Sequence, residues 1–526
     1  MTTNRDVAVA GISLAGLAVF CRLVSLAKEL YIASEYGASI AFDVYALAML
    51  IPALGIAVIA QSARRGYLSF YARFALEGQD SLHRFERHFF KLLGVGAVIA
   101  AVGLGTIFSL PWNRWLPWPL PALERLAEIS WYSASLLIPM TLVIGLSTLL
   151  NARKEFVVTQ LTHVFPPVVT VLLVISFPDR RGALLLIMGL LIGSILQAGV
   201  LMWNAFRHGI SIFNITKQQQ PRMMTEPATY SVFTSVILVM IVLEILNQGN
   251  VSVDRLMAGV LPEGNVTMLY WSALMKDFVT GTIIASLLTV QFPHMSEQAA
   301  RTDYTELKRS CSLTLRYGAI FIFPFTVLLI VGVMKILPLL SIGKLDETAM
   351  LTIAPCFAAY AFGFFADLAS TSLSQALMAL RRLRTLIWIG IFGYFVPNVI
   401  FNSLLIGKFG VVGLAASTSF VGYCTLICNF IALRKVVGPL ADERRTWGVI
   451  AISAAAAALM SLAAWGSLIF LEPILSGTSV KECARVGVAC AVGLAVYLLA
   501  LMMSPARMEL MLLTDILRKK LGRRRS

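Results

Sequence analysis

The sequence predicts an all-α polytopic membrane protein of about fourteen transmembrane helices, and three observations predict it. Of the 526 residues, 58% are hydrophobic and only 13% charged, whereas soluble domains carry about 25% charged residues. Apolar runs of about twenty residues, enough helix to cross a hydrocarbon layer about 30 Å thick, recur along the whole chain. Between them, Lys and Arg gather in alternate connections, as expected when basic loops stay on one side of a membrane.

The first seven spans are expected near residues 7–27, 41–60, 90–110, 129–150, 156–177, 182–203 and 230–248. The second seven are expected near 268–292, 317–337, 350–370, 386–406, 411–433, 447–470 and 486–503. The first run holds Arg22 and has no small-residue cleavage site after it, so it reads as a retained span rather than a signal peptide. In the fifth, Pro166–Pro167 follows His163 by a few residues and should break or kink the helix. His163 itself reads as a packed or hydrogen-bonded residue.

Lys and Arg number 43 against 28 acids, a formal net charge of +15. The basic clusters Arg64–Arg65, Arg153–Lys154, Lys308–Arg309, Arg381–Arg382–Arg384, Arg434–Lys435, Arg444–Arg445 and the tail Arg518–Arg525 all fall on one side of this topology. The charge is therefore a topology signal and no nucleic-acid partner is implied; both termini face the cytoplasm. The tail reads as an anchor behind an amphipathic helix at 508–517, held against anionic lipid heads.

Seven cysteines lie within apolar runs or on opposite sides, so no disulfide framework is expected. Cys424 and Cys428 share a helix face without further Cys or His, and no metal site is expected. The loops are too short for a separate catalytic domain. Organisation follows: an N-lobe at 1–204 (spans one to six), a cytoplasmic linker at 205–229 marked by Gln218–Pro221, a C-lobe at 230–434 (spans seven to twelve), spans thirteen and fourteen at 435–503, and a basic cytoplasmic tail at 504–526. The lobes echo each other weakly. Gly37-Ala-Ser-Ile-Ala-Phe-Asp43 leads into span two as Gly264-Asn-Val-Thr-Met-Leu-Tyr270 leads into span eight, and VFPP at Val164–Pro167 is answered by FVPN at Phe395–Asn398.

Four stretches carry a resemblance. They are CRLVSLAKELYIASEYGASIAFDVYALAMLIP from Cys21; VDRLMAGVLPEGNVTMLYWSALMKDFVTG from Val253, with VQFPHMSE from Val290; SLSQALMALRRLRT from Ser372; and PNVIFNSLLIGKFGVVGLAASTS from Pro397. In order and spacing this resembles the MurJ/MviN branch of the multidrug/oligosaccharidyl-lipid/polysaccharide (MOP) exporter superfamily, the lipid II flippase-like proteins. The resemblance implies twelve core helices in two six-helix lobes around a central cavity, plus two C-terminal helices.

It also implies a site. Arg22 and Lys28 would face the cavity and bind the anionic head of the cargo, with Glu29 and Asp43 at the family's acidic positions nearby. A diphosphate offers several acceptor oxygens; Arg can hold two at once and Lys acts as a compact point charge. An arginine inside a span costs about 2.5–3.5 kcal/mol on insertion scales, so Arg22 needs either this use or an ion-pair partner such as Glu29 or Asp43. The chain departs from the family at Ile56 and Leu274, which stand where it has arginines in spans two and eight. Lys276 is the candidate substitute, unless Asp277 merely neutralises it. Asn398 and Asn402 share one face of span eleven, with Thr418 of span twelve matching a family position near them. They either hydrogen-bond between helices or form an ion-coupling site completed by Asp254 or Glu244. Lys335 and Asp367, also near membrane depth, are either coupling residues or buried partners.

The leading expectation is a non-enzymatic flippase in the bacterial cytoplasmic (inner) membrane. It would move a polyprenyl-diphosphate-linked sugar precursor, lipid II-like or an exopolysaccharide or O-antigen unit, from the inner to the outer face by alternating access. Its partners would be that glycan lipid, membrane lipids and envelope-biosynthesis enzymes. No cofactor is expected: no phosphate-binding loop occurs, and Na+ or H+ coupling or the membrane potential, worth about 2.3 kcal/mol per charge per 100 mV, can drive the step. An ion-coupled multidrug or metabolite exporter is the alternative within the superfamily. A membrane glycosyltransferase or ligase is the alternative of another class and would want a large outer loop or a carboxylate pair.

Overall fold

A computed structural model of the chain describes residues 4–57, 59, 67, 79–110, 121–153, 155–180, 182–207, 227–299, 304–340, 343–474, 479–509 and 511. Arg64–Arg65, Gln218–Pro221 and the basic tail from Arg518 lie outside them. Among the described residues, each expected span coincides with a helix. These are α1 (Asn4–Tyr36), α2 (Ile40–Ala57), α3 (Gln79–Ser109), α4 (Glu124–Ala152), α5 (Phe156–Ser176), α6 (Ala183–Arg207), α7 (Pro227–Ala258), α8 (265–299), α9 (Thr305–Leu339), α10 (Glu347–Ala379), α11 (383–409), α12 (411–437), α13 (Glu443–Leu471) and α14 (Ser479–Met502). Among the described residues, ten stretches are long and apolar enough to cross a membrane, and the 55-residue Leu383–Val437 holds both α11 and α12. The protein is an all-α, multi-pass membrane protein.

The chain divides into two compact units, Met1–Thr267 with Ile342–Leu345, and Met268–Ser341 with Asp346–Ser526. In the first, Cys21, Lys28, Ile32 and Tyr36 form one buried face of α1, spaced as a helical stripe. This helix packs against α5, where the Cys21 thiol donates to the Gln160 carbonyl at 3.2 Å. Prolines set the breaks. Pro139 cannot donate to the Ser135 carbonyl, and α4 is interrupted at Leu136. Pro166 and Pro167 likewise follow a 3-10 turn at Thr162–Val164 in α5. Next to that break, Gly189 and Gly193 let α6 approach: a Cβ on Gly193 would stand 2.5 Å from Pro166 Cα, and one on Gly189 2.7 Å from Thr170 Cα. Small residues four apart are a common way for helices to pack closely in lipid.

The two echoing motifs meet inside this unit. Gly37 and Gly264 both turn with positive φ, 59° and 88°, a region open to glycine at little cost. Each turn delivers an acid to the other's helix start. The Asp43 carboxylate accepts from the Gly264 and Thr267 backbone amides at 2.7 Å each and from the Thr267 hydroxyl at 2.5 Å. The Glu263 carboxylate accepts from the Ile40 amide at 2.7 Å.

In the second unit, α8 contains a π-helical turn at Thr280–Ile284 and α11 another at Ile389–Phe395. The Gly393 carbonyl in the latter accepts from the Thr425 hydroxyl of α12 at 2.8 Å. The long helix bends at Gly410 (φ 56°). Polar stitches join α12 to α10: the Ser419 hydroxyl donates to the Ala359 carbonyl at 2.6 Å, and the Asn429 amide to Ser370 Oγ at 3.3 Å. The pair α13 and α14 packs on α9 through a core of Ile320, Val327, Ala456, Met460 and Tyr497, and the Tyr497 hydroxyl donates to the Ile320 carbonyl at 2.8 Å.

Candidate functional site

On α1, Arg22 and Glu29 are seven residues apart and so lie on nearly the same helix face. Arg22 is exposed, just off the stripe that buries Cys21, and Lys28 sits on that stripe at 9% exposure. The Lys28 ammonium is 2.5 Å from the Glu29 carboxylate. The basic group expected to bind an anionic head is therefore already paired with its acidic neighbour, and Arg22 is the exposed cation beside it. Asp43 is placed apart from this pair in role: it is 3% exposed and its oxygens hold the start of α8. The sequence offered a hint of this, since Asp43 ends one echo motif and Gly264 opens the other.

Lys276 lies in the second unit. Its ammonium is 3.1 Å from Asp277 Oδ1 and 5.3 Å from the centre of the Tyr360 ring, with Asp367 of α10 and Tyr394 of α11 within electrostatic reach. The Asp277 side chain is 67% exposed, so water screens much of that pairing. Half-buried Leu274 stands one helical half-turn before this cluster, and half-buried Ile56 lies in the first unit.

Asn398 and Asn402 are 1% and 0% exposed. The Asn402 amide donates to Asn398 Oδ1 at 3.1 Å, and Asn402 Oδ1 accepts from the Ser417 hydroxyl of α12. The expected Thr418 has its hydroxyl donating to the Leu414 carbonyl of its own helix at 3.2 Å. Ser417, one position earlier, was not among the expected residues, and helical spacing does not single it out from its neighbouring hydroxyls. Glu244 accepts from Gln248 at 3.3 Å, and Asp254 is 7% exposed; both belong to the first unit and the asparagines to the second. His163 shares a hydrogen bond with Gln197 at 3.2 Å, which ties the broken part of α5 to α6.

An apolar groove with a cavity of about 400 Å³ runs between α13 and α14, lined by Ala463, Gly466, Phe470, Leu471, Val488 and Val492. Small residues on α13 open it, and apolar branches on α14 floor it. It can hold a hydrocarbon chain but offers almost nothing to a charged head.

Comparison with known proteins bears on this arrangement. The probable lipid II flippase MurJ of Vibrio cholerae is 21% identical over 537 residues, spanning 97% of this chain and 98% of that protein. Among solved structures, a lipid II flippase MurJ in an inward closed conformation aligns with TM-score 0.69 at 15% identity, covering 94% of this chain and 98% of that one. An inward-facing multidrug-resistance transporter of the MATE family, also of the MOP superfamily, aligns with TM-score 0.58 at 13% identity, covering 79% and 94%. The family model described as lipid II flippase MurJ matches residues 32–484. With most of the chain matched by that model, the protein belongs to the lipid II flippase MurJ family.

Proposed function

We propose that the chain translocates a polyprenyl-diphosphate-linked sugar precursor from the inner to the outer face of the bacterial inner membrane, with both termini cytoplasmic, by rocking two lobes of six helices around the bound head group. The single observation that carries this is the family match over residues 32–484, which makes the protein a lipid-linked precursor flippase of the MOP superfamily and a transporter rather than an enzyme. Arg22 is the first contact for the diphosphate, because it is exposed at membrane depth and its fork can bind two oxygens at once. Lys28 joins when the anion draws it from Glu29, and Lys276 contributes in the same way against Asp277. The groove between α13 and α14 takes the lipid tail. The asparagine pair with Ser417 supplies oxygen ligands for a coupling cation, and the membrane potential assists outward movement of the anionic head.

Ile56 and Leu274, in place of the family's arginines, favour a cargo whose head group needs fewer cationic contacts, so an exopolysaccharide or O-antigen unit is a second reading of the substrate. Depletion of the protein followed by analysis of polyprenyl-linked intermediates separates them. Accumulation of lipid II on the inner face identifies the cell-wall precursor, and accumulation of another glycan lipid identifies that cargo. Sensitivity to drugs with neither intermediate raised would reject the flippase reading in favour of export.

A further inference from the structure

Outside the transport site, the second unit buries an ionic cluster where α9 and α13 begin and the chain leaves α14. Arg316 of α9 is 4% exposed. Its Nε donates to the Thr446 hydroxyl at 2.9 Å and its Nη2 to the Asp442 carbonyl at 3.1 Å. The remaining arm, Nη1, stands 3.6 Å from Glu509 Oε1, and Nε of Arg445 reaches the same oxygen at 2.8 Å. Glu509 is 1% exposed, and among the described residues neither of its carboxylate oxygens accepts a hydrogen bond. Beside it opens a cavity of about 170 Å³, lined by Arg309, Ser312, Arg316, Asp442, Arg445 and Glu509 among others.

Three guanidinium groups face two carboxylates here, and one of the two, Asp442, has a side chain 70% exposed. Without Glu509 the basin would keep a clear excess of positive charge. A carboxylate is drawn out of water only where cations and donors repay its lost hydration, so the surroundings of Glu509 are those of an oxyanion site. Its occupant fits that role incompletely: one oxygen lies within ion-pair distance of both arginines, and neither oxygen accepts a hydrogen bond among the described residues. A phosphate group brings more acceptor oxygens and equal or greater charge, and forked guanidinium groups bind it in two-point fashion. Arg309 and Arg445 are exposed at the mouth, so each can turn toward an entering anion while Arg316 stays fixed by Thr446 and the backbone.

We propose that this cavity binds a phosphate group, free or in a lipid head, in competition with Glu509. Binding expels the Glu509 carboxylate and frees the segment after α14 from α9 and α13. The test uses the full chain purified in detergent with added inorganic phosphate, and in nanodiscs of phosphatidylcholine with or without phosphatidylglycerol. Apparent Tm is read against a salt-matched chloride control, and affinity by calorimetry. Phosphate or phosphatidylglycerol should raise Tm above the control; stabilisation by phosphate alone assigns a soluble anion and by phosphatidylglycerol alone a lipid head. Glu509→Gln, which removes the competing charge, should tighten binding several-fold. Arg445→Gln and Arg309→Gln should weaken it, the former by about tenfold for a lost charge-assisted bond; neither variant touches the more deeply buried Arg316. Absence of stabilisation by both sources, or unchanged affinity in Glu509→Gln, would overturn the proposal.

Discussion

Both oxygens of the Asp43 carboxylate are taken by the start of α8, while Glu263 returns the favour to α2. An acid placed before a helix accepts amides that have no partner within the helix and complements its dipole. Asp43→Ala should therefore lower apparent thermal stability, by about 1–2 kcal/mol as for other lost caps, and Asp43→Asn, which keeps an acceptor, by less; a fluorescence-monitored melt of the purified variants reads both. A second capping acid lies outside the spans. Asp346 accepts from the Ala349 amide at 3.0 Å and the Thr348 hydroxyl at 2.8 Å. The Ala349 hydrogen bond, ahead of the Thr348 one, holds its carboxyl below the usual carboxylate range. A depressed folded pKa means the cap stabilises α10 fully above the unfolded value, about 3.9, and is lost as pH falls through the lower folded value. Amide exchange at residues 347–349 should accelerate in that acid window in the wild type, and Asp346→Ala should show the faster exchange already at neutral pH.

At the scale of elements, the break at Pro166–Pro167 was legible in the sequence, whereas the one at Pro139 drew no expectation and Pro324 and Pro355 lie inside continuous helices. Pro139 and Pro166–Pro167 interrupt α4 and α5 where their missing amides require it. The π turn at Ile389–Phe395 likewise precedes a proline, Pro397, which cannot donate to the Gly393 carbonyl, whereas the one at Thr280–Ile284 contains none. That Gly393 carbonyl is answered by the Thr425 hydroxyl of α12, and no local pattern records that partner. Where α5 and α6 cross, Gly193→Ala should be destabilising because its methyl would land on Pro166 backbone rather than on a mobile side chain. A loss of about 1–3 kcal/mol, typical of overpacking, is expected as a lowered melting temperature, whereas Gly199→Ala, with open space around it, should leave stability nearly unchanged.

For the whole molecule, the proposed transport step rests on Arg22, a cation of the first expected span that the fold leaves exposed. Arg22→Ala should abolish translocation while the protein reaches normal abundance in the membrane, measured by accessibility of the glycan lipid at the outer face and by immunoblot. Full translocation in that variant would remove Arg22 from the site. Lys276→Ala should give a partial loss, because its charge is already shared with Asp277 and Asp367 in the absence of cargo.

The run of apolar segments determined the fold class and the order of the spans without help from tertiary structure, because a bilayer imposes helix length and backbone satisfaction on each segment separately. The charged residues within the expected spans were also legible as candidates by their type, since a charge at membrane depth is costly wherever it occurs. Their roles were decided by the folded arrangement: Lys28 is paired to Glu29, Asp43 caps a helix from a later part of the chain, and Ser417 meets Asn402. Arg316 drew no expectation from the sequence and Glu509 falls in its C-terminal tail, yet nearly two hundred residues apart they share one buried cluster. Ion pairing and capping depend on which surfaces meet in three dimensions, and sequence spacing carries that information only within a single helix.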